Sequence, residues 1–126
     1  MRAHKGRYLY RRSALANNQT RALNTSTEQA SATNLSLAGQ VPPHSRIAIL
    51  QTQMTIAGTT GEDGVANFYT DGDTSDTALR HDAEGDETTT RWAEIETSSA
   101  QVIDYTFTIA GSGTGTLAVH VAGFSE

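Results

Sequence analysis

The sequence predicts an all-β protein: an antiparallel β-sandwich or jelly roll of about 7–8 strands with an extended N-terminal arm. Three observations predict it. From Leu35 onward, short runs alternate apolar and polar residues with period two. Gly-, Asp- and Pro-rich turn signals separate these runs at sandwich-like intervals. Serine and threonine together number 29 of 126 residues, and threonine's branched Cβ favours extended backbone.

The elements follow in chain order. Residues 1–30 have no periodic apolar face and read as a basic arm followed by a polar connector. The Asn17-Asn18 pair argues against a long helix there. Residues 31–126 form the expected sandwich domain. Leu35 and Leu37 make a short alternating run that stops at Gly39 and Pro42-Pro43. Ile47–Ala57 is the longest strand candidate, with Ala48, Leu50, Thr52, Met54 and Ile56 on one face. Gly58–Gly64 is a turn, and Val65–Thr70 is expected to return beside the preceding strand as a hairpin. Thr77–His81 reads as a short edge strand and Asp82–Glu87 as an acidic loop. Thr88–Thr97 sets Arg91, Ala93 and Ile95 against Trp92, Glu94 and Glu96. Gln101–Ala110 is the clearest pattern, with Ile103, Tyr105, Phe107 and Ile109 on one side. Thr116–Ala122 closes the sheet with Leu117, Val119 and Val121 inward and His120 outward.

Charge is sorted along the chain. Arg2, Lys5, Arg7, Arg11, Arg12 and Arg21 fall in the first 21 positions, where there is no acid. The remainder holds three bases against fourteen acids, a net −11. A basic arm on an acidic body suggests a part that plugs into something larger. One lysine stands against eight arginines. That balance, with the acidic body, resembles proteins of salt-loving organisms, where hydrated carboxylates keep a protein soluble while salt screens ordinary repulsion; a high-GC genome, which also trades lysine for arginine, is the alternative. No cysteine is present, so neither a disulfide framework nor thiol chemistry is expected. No stretch approaches the ~18 apolar residues of a membrane helix, and no apolar run follows the basic N-terminus as in an export signal. A soluble protein made in the cytoplasm, without a membrane partner, is expected.

Few residues promise chemistry. Asp71, Asp73 and Asp76 give one loop the carboxylate density of a calcium or other divalent-cation site. The glycine and flanking helices of an EF-hand are missing, and a solvated loop is the competing reading. The acidic run Asp82, Glu84, Asp86 and Glu87 reads as a wet loop or as a docking surface for a basic arm. No two of His4, His44, His81 and His120 have metal-ligand spacing. His81-Asp82 with Ser75 lacks any nucleophile elbow. Glu94 and Glu96 beside Trp92 superficially match a glycosidase pair, but such residues on an exposed strand are ordinarily its wet face. No enzyme and no cofactor are expected. The arm residues Arg2, Lys5, Arg7, Tyr8, Tyr10, Arg11 and Arg12 are the expected partner-binding set. Six cations among tyrosines suit phosphates, but if the protein works in molar salt most of that attraction is lost, and nucleic acid is then disfavoured. A protein that encloses arginine and tyrosine suits the arm better.

The Arg2–Arg12 arm, the polar Asn17–Thr33 connector and the strands from Ile47 to Phe124 together resemble small β-sandwich virion proteins of tailed viruses, particularly haloarchaeal ones. These include capsid decoration or cement proteins, turret bases and head–tail components. The resemblance implies a non-enzymatic part of a virus particle. It also implies homo-oligomers, major capsid or other virion proteins as partners, and residence in the virion. The alternative is a carbohydrate- or ligand-binding sandwich such as a receptor-binding tip, with Trp92 and Tyr69 stacking on the ligand and calcium held at Asp71–Asp76.

Overall fold

The computed structural model describes residues 9–11 and 21–125. Nine strands run through them: β1 (Leu9–Arg11), β2 (Arg21–Thr25), β3 (Gln29–Ser36), β4 (Ile47–Ala57), β5 (Gly64–Thr70), β6 (Leu79–Ala83), β7 (Glu87–Glu96), β8 (Val102–Ile109) and β9 (Thr114–Ser125). The described residues contain no helix, hence none long and apolar enough to cross a membrane.

The pairings define the architecture. β5 pairs with β6, β4 with β7, β3 with β8 and β2 with β9, all antiparallel. These nested pairs make one long ribbon with the β5–β6 hairpin at its tip. The ribbon is rolled so that β4 also meets β9 and β5 also meets β8. The result is a jelly roll of two facing sheets. The first sheet has the order β2-β9-β4-β7, and β1 adds beside β2 on the far edge of β9. The second has the order β3-β8-β5-β6.

The space between the sheets is filled from both sides. Leu50, Met54, Ile56, Leu117, Val119 and Val121 come from the first sheet; Phe68, Ile103, Tyr105 and Phe107 come from the second. Phe68 and Tyr105 stack with ring centroids 6.4 Å apart. Each fully buried large side chain of this kind stabilises the fold by roughly 1.5–3 kcal/mol. The sheets approach closely at Gly64, where a Cβ would run into the side chains of Ile56 and Met54.

Several expectations change. The Val65–Thr70 strand does not return beside Ile47–Ala57. β4 already has β7 on one edge and β9 on the other, so the chain crosses through residues 58–63 to the second sheet. The polar connector is not uniformly irregular: Arg21–Thr25 is β2, and the expected boundary at residue 30 falls inside β3. β2 escapes a pattern search because it is five residues long, and only Ala22 and Leu23 pack against the core. The acidic loop shrinks to Glu84, Gly85 and Asp86, since β6 runs to Ala83 and β7 starts at Glu87. Asp86 takes a left-handed φ of 68° in that turn. His120, expected to point outward, opposite Val119 and Val121, is nonetheless buried. It is flanked in register by Arg21 of β2 and Gln51 of β4, so it stands in the middle of a sheet rather than at an edge. A bulge then follows: Ile49 is level with Gly123 and Leu50 with Val121, which accommodates Ala122 as an extra residue.

Candidate functional site

β7 is an edge strand of the first sheet, with β4 as its only ladder partner among the described residues. Its alternation puts Ile95 and Ala93 toward the core and Trp92, Glu94 and Glu96 on the outer face. In register, Glu96 is level with Ile47, Glu94 with Ile49 and Trp92 with Gln51. Arg46, Ile47, Glu94 and Glu96 line an open depression of about 430 Å³. Trp92, the one large apolar side chain exposed among the described residues, is 49% accessible. Two carboxylates two residues apart on one strand face, beside an indole, accept hydrogen bonds from planar cations and offer them a ring face. Arg46 lines the same hollow and keeps it from being uniformly acidic.

The second cluster lies at the end of the second sheet. Asp104 is buried in β8 although its neighbours Ile103 and Tyr105 are apolar. One carboxylate oxygen accepts from Asn34 Nδ2 and the other from the Gly72 amide at 3.0 Å. Asn34 Nδ2 also reaches Asp71 Oδ1 at 3.2 Å. The Asp71–Asp76 loop is thereby tied to the sheet. Asp73 accepts from both the amide and the hydroxyl of Ser75, which hold its carboxyl below the usual range. Asp76 is exposed. Among the described residues no three His, Asp or Glu side chains converge in a way that would hold a metal ion.

The third cluster is internal. His81 projects from β6 into the space between the sheets and is completely buried. Its Nδ1 is 2.6 Å from Thr52 Oγ1 on β4, and its Nε2 is 2.7 Å from Thr89 Oγ1 on β7. Thr89 Oγ1 donates its proton to the Asp82 carbonyl at 3.4 Å. Thr89 therefore accepts from His81 Nε2–H, and Nδ1 accepts from the Thr52 hydroxyl. Burial, with the Arg91 charge adding to it, lowers the His81 pKa to about 4, so the ring is neutral at ordinary pH. Ser75 is engaged by Asp73 and His81 by two threonines, so the structure does not bring them together as nucleophile and base. His81 joins the two sheets and faces no open cleft.

Of the expected partner-binding set, Arg2, Lys5, Arg7, Tyr8 and Arg12 lie outside the described residues, and Tyr10 and Arg11 belong to β1. β1 pairs antiparallel with the end of β9, Leu9 level with Ser125 and Arg11 with Gly123. The two aromatic residues expected to stack on a ligand belong to different sheets. Trp92 is on the outer face of the first sheet, whereas Tyr69 is level with Asp104 in the second. Sequence reasoning missed the Asn34–Asp104 contact and the role of Arg46. An acid inside the apolar run of β8 was the available signal for the first. No protein-family model matches the chain, and neither does any curated protein.

Proposed function

We propose that this chain is a non-enzymatic structural protein of a virus particle, made in the host cytoplasm and anchored to the capsid or to neighbouring subunits by its basic N-terminal segment. The observation that carries the reading is a jelly roll whose basic segment feeds a strand, β1, onto the edge of one sheet. Jelly rolls serve as capsid and lectin domains, and the architecture alone does not choose between those uses. The charge distribution tips the choice. An arginine-rich, tyrosine-bearing segment that meets a sheet edge by backbone pairing suits lacing between subunits. Repeated over a lattice, individually weak attachments add to high avidity.

The test is recovery of the chain in purified virus particles, followed by density gradient and mass spectrometry. A version lacking residues 1–12 is expected to keep the β spectrum and thermal transition of the body, because β2 to β9 are intact, yet to be lost from particles. Normal incorporation of the truncated chain overturns the reading. The exposed Trp92 beside a hollow with two carboxylates also supports a second reading, carbohydrate binding. Glycan binding abolished by Trp92→Ala, with particle association unchanged, would favour that alternative.

A further inference from the structure

We propose that copies of this chain associate head to tail through the two edges of the first sheet, the β1 edge of one copy adding to the β7 edge of the next. The inference rests on the assembly reading and names the partner: a second copy of this chain.

Four observations meet here. First, the outer edges of β1 and β7 have no ladder partner among the described residues. On β7 two carbonyls already accept from side chains, Glu96's from Thr70 Oγ1 at 3.2 Å and Thr90's from Arg91 at 3.1 Å, and each keeps a second lone pair for a partner strand. Second, the strand directions fit. β1 is antiparallel to β9, β9 to β4 and β4 to β7. β1 and β7 therefore run in opposite directions, and a second copy brought alongside without inversion sets its β1 antiparallel to β7.

Third, the levels fit. Leu9 and Arg11 are level with Ser125 and Gly123 on β9, these with Ile47 and Ile49 on β4, and these with Glu96 and Glu94 on β7. β1 and the acidic end of β7 thus lie at one height, three strand spacings or about 14 Å apart across the sheet. Fourth, the charges are complementary. β1 ends on Arg11 and is flanked in sequence by Arg7 and Arg12, whereas the β7 edge shows Glu94 and Glu96 with the exposed Trp92 between them and Thr90. Like edges repel, β7 against β7 and arm against arm, so self-pairing by a twofold axis is disfavoured. A heterologous contact remains, and it closes into a ring where the rotation allows. Charged residues on an edge strand ordinarily block pairing with any passing strand; here they admit a basic strand and reject an acidic one.

Native mass spectrometry and light scattering on the full chain at near-physiological salt test this. The wild-type chain is expected as a closed oligomer. Glu94→Arg with Glu96→Arg, and separately Arg7→Glu with Arg11→Glu and Arg12→Glu, are each expected to abolish it. Glu94→Gln with Glu96→Gln weakens association by roughly tenfold or more, as loss of charge-assisted contacts does. An equimolar mixture of the two reversed chains restores association between unlike chains, in even-numbered alternating assemblies, because each reversed edge now meets its complement. All altered side chains on β7 are exposed, and circular dichroism confirms folding of each variant. A wild-type monomer, an oligomer indifferent to the β7 reversals, or a mixture in which the two reversed chains do not associate overturns the proposal. An oligomer that ignores the β7 changes but dissociates without residues 1–12, or a monomer that still enters particles, refutes this interface and leaves the virion reading standing.

Discussion

Two polar clusters in this jelly roll solve the same problem differently. Thr52, His81 and Thr89 lie between the sheets, where His81 and Thr52 are completely buried. Asn34, Asp71 and Asp104 lie at the rim of the second sheet, where Asn34 is exposed and Asp104 is buried. The internal cluster is neutral, and each of its protons has one acceptor. The rim cluster carries carboxylates, and a backbone amide together with an exposed side chain satisfies Asp104. A buried charge without such partners would be far more costly than a buried hydroxyl. The internal cluster also spans three strands of two sheets, because His81 on β6 reaches both β4 and β7. It therefore fixes how the edge of one sheet lies on the other, while the rim cluster fixes a loop.

The largest expected effect comes from breaking the internal cluster. His81→Ala leaves a cavity and two threonine hydroxyls without their partner, at a cost of about 3 kcal/mol in urea or thermal unfolding. A change below about 1 kcal/mol would show that water fills the gap and that the cluster is not sealed.

Acid sharpens the same comparison. Burial lowers the His81 pKa from 6.5 to about 4, with Arg91 adding to the effect and Asp82 opposing it. The unfolded chain then binds the proton at a higher pH than the folded one. This contribution to stability is complete above pH 6.5 and is lost as the pH falls toward 4, by an amount on the order of 3 kcal/mol. Subtracting the profile of His81→Gln isolates the contribution from carboxylate titration. A wild-type advantage that stays constant across that window would contradict a neutral buried ring.

The smallest effect belongs to the rim. Asp104→Ala frees the Gly72 amide and Asn34, both close enough to solvent to find water, and should cost about 1–2 kcal/mol. Its signature should be local, as faster amide exchange in residues 71–76, whereas His81→Ala speeds exchange across β4, β6 and β7. Equal and global effects of the two changes would erase the distinction between sealed and rim clusters.

Much of this could be read along the chain. The alternation in Ile47–Ala57 and Gln101–Ala110 located β4 and β8 and named their core faces, because a strand with one buried face must repeat with period two. The strands whose pattern is diluted were harder. β2 is short and largely polar, and β3 shows its burial only at Leu35 among exposed neighbours. Partners were harder still. Val65–Thr70 looked like the return arm of a hairpin, and nothing local reveals that both edges of Ile47–Ala57 are taken by strands about 40 and 70 residues later. The outer-face trio Trp92, Glu94 and Glu96 is visible as alternation, but the hollow that Glu94 and Glu96 share with Arg46 and Ile47 requires the register of β4 against β7.

The sequence by itself determined the all-β class, the inward faces of the main strands and the separation of a basic head from an acidic body. These follow from neighbours along one chain, where periodicity and charge are written residue by residue. Only the tertiary structure decided that the strands nest as a rolled ribbon and that His81 is a neutral tie between sheets. It alone put β1 and the acidic end of β7 at one height on opposite edges of a single sheet. Those relations depend on which distant segments share backbone hydrogen bonds, and a free strand edge accepts almost any partner until the whole core chooses one.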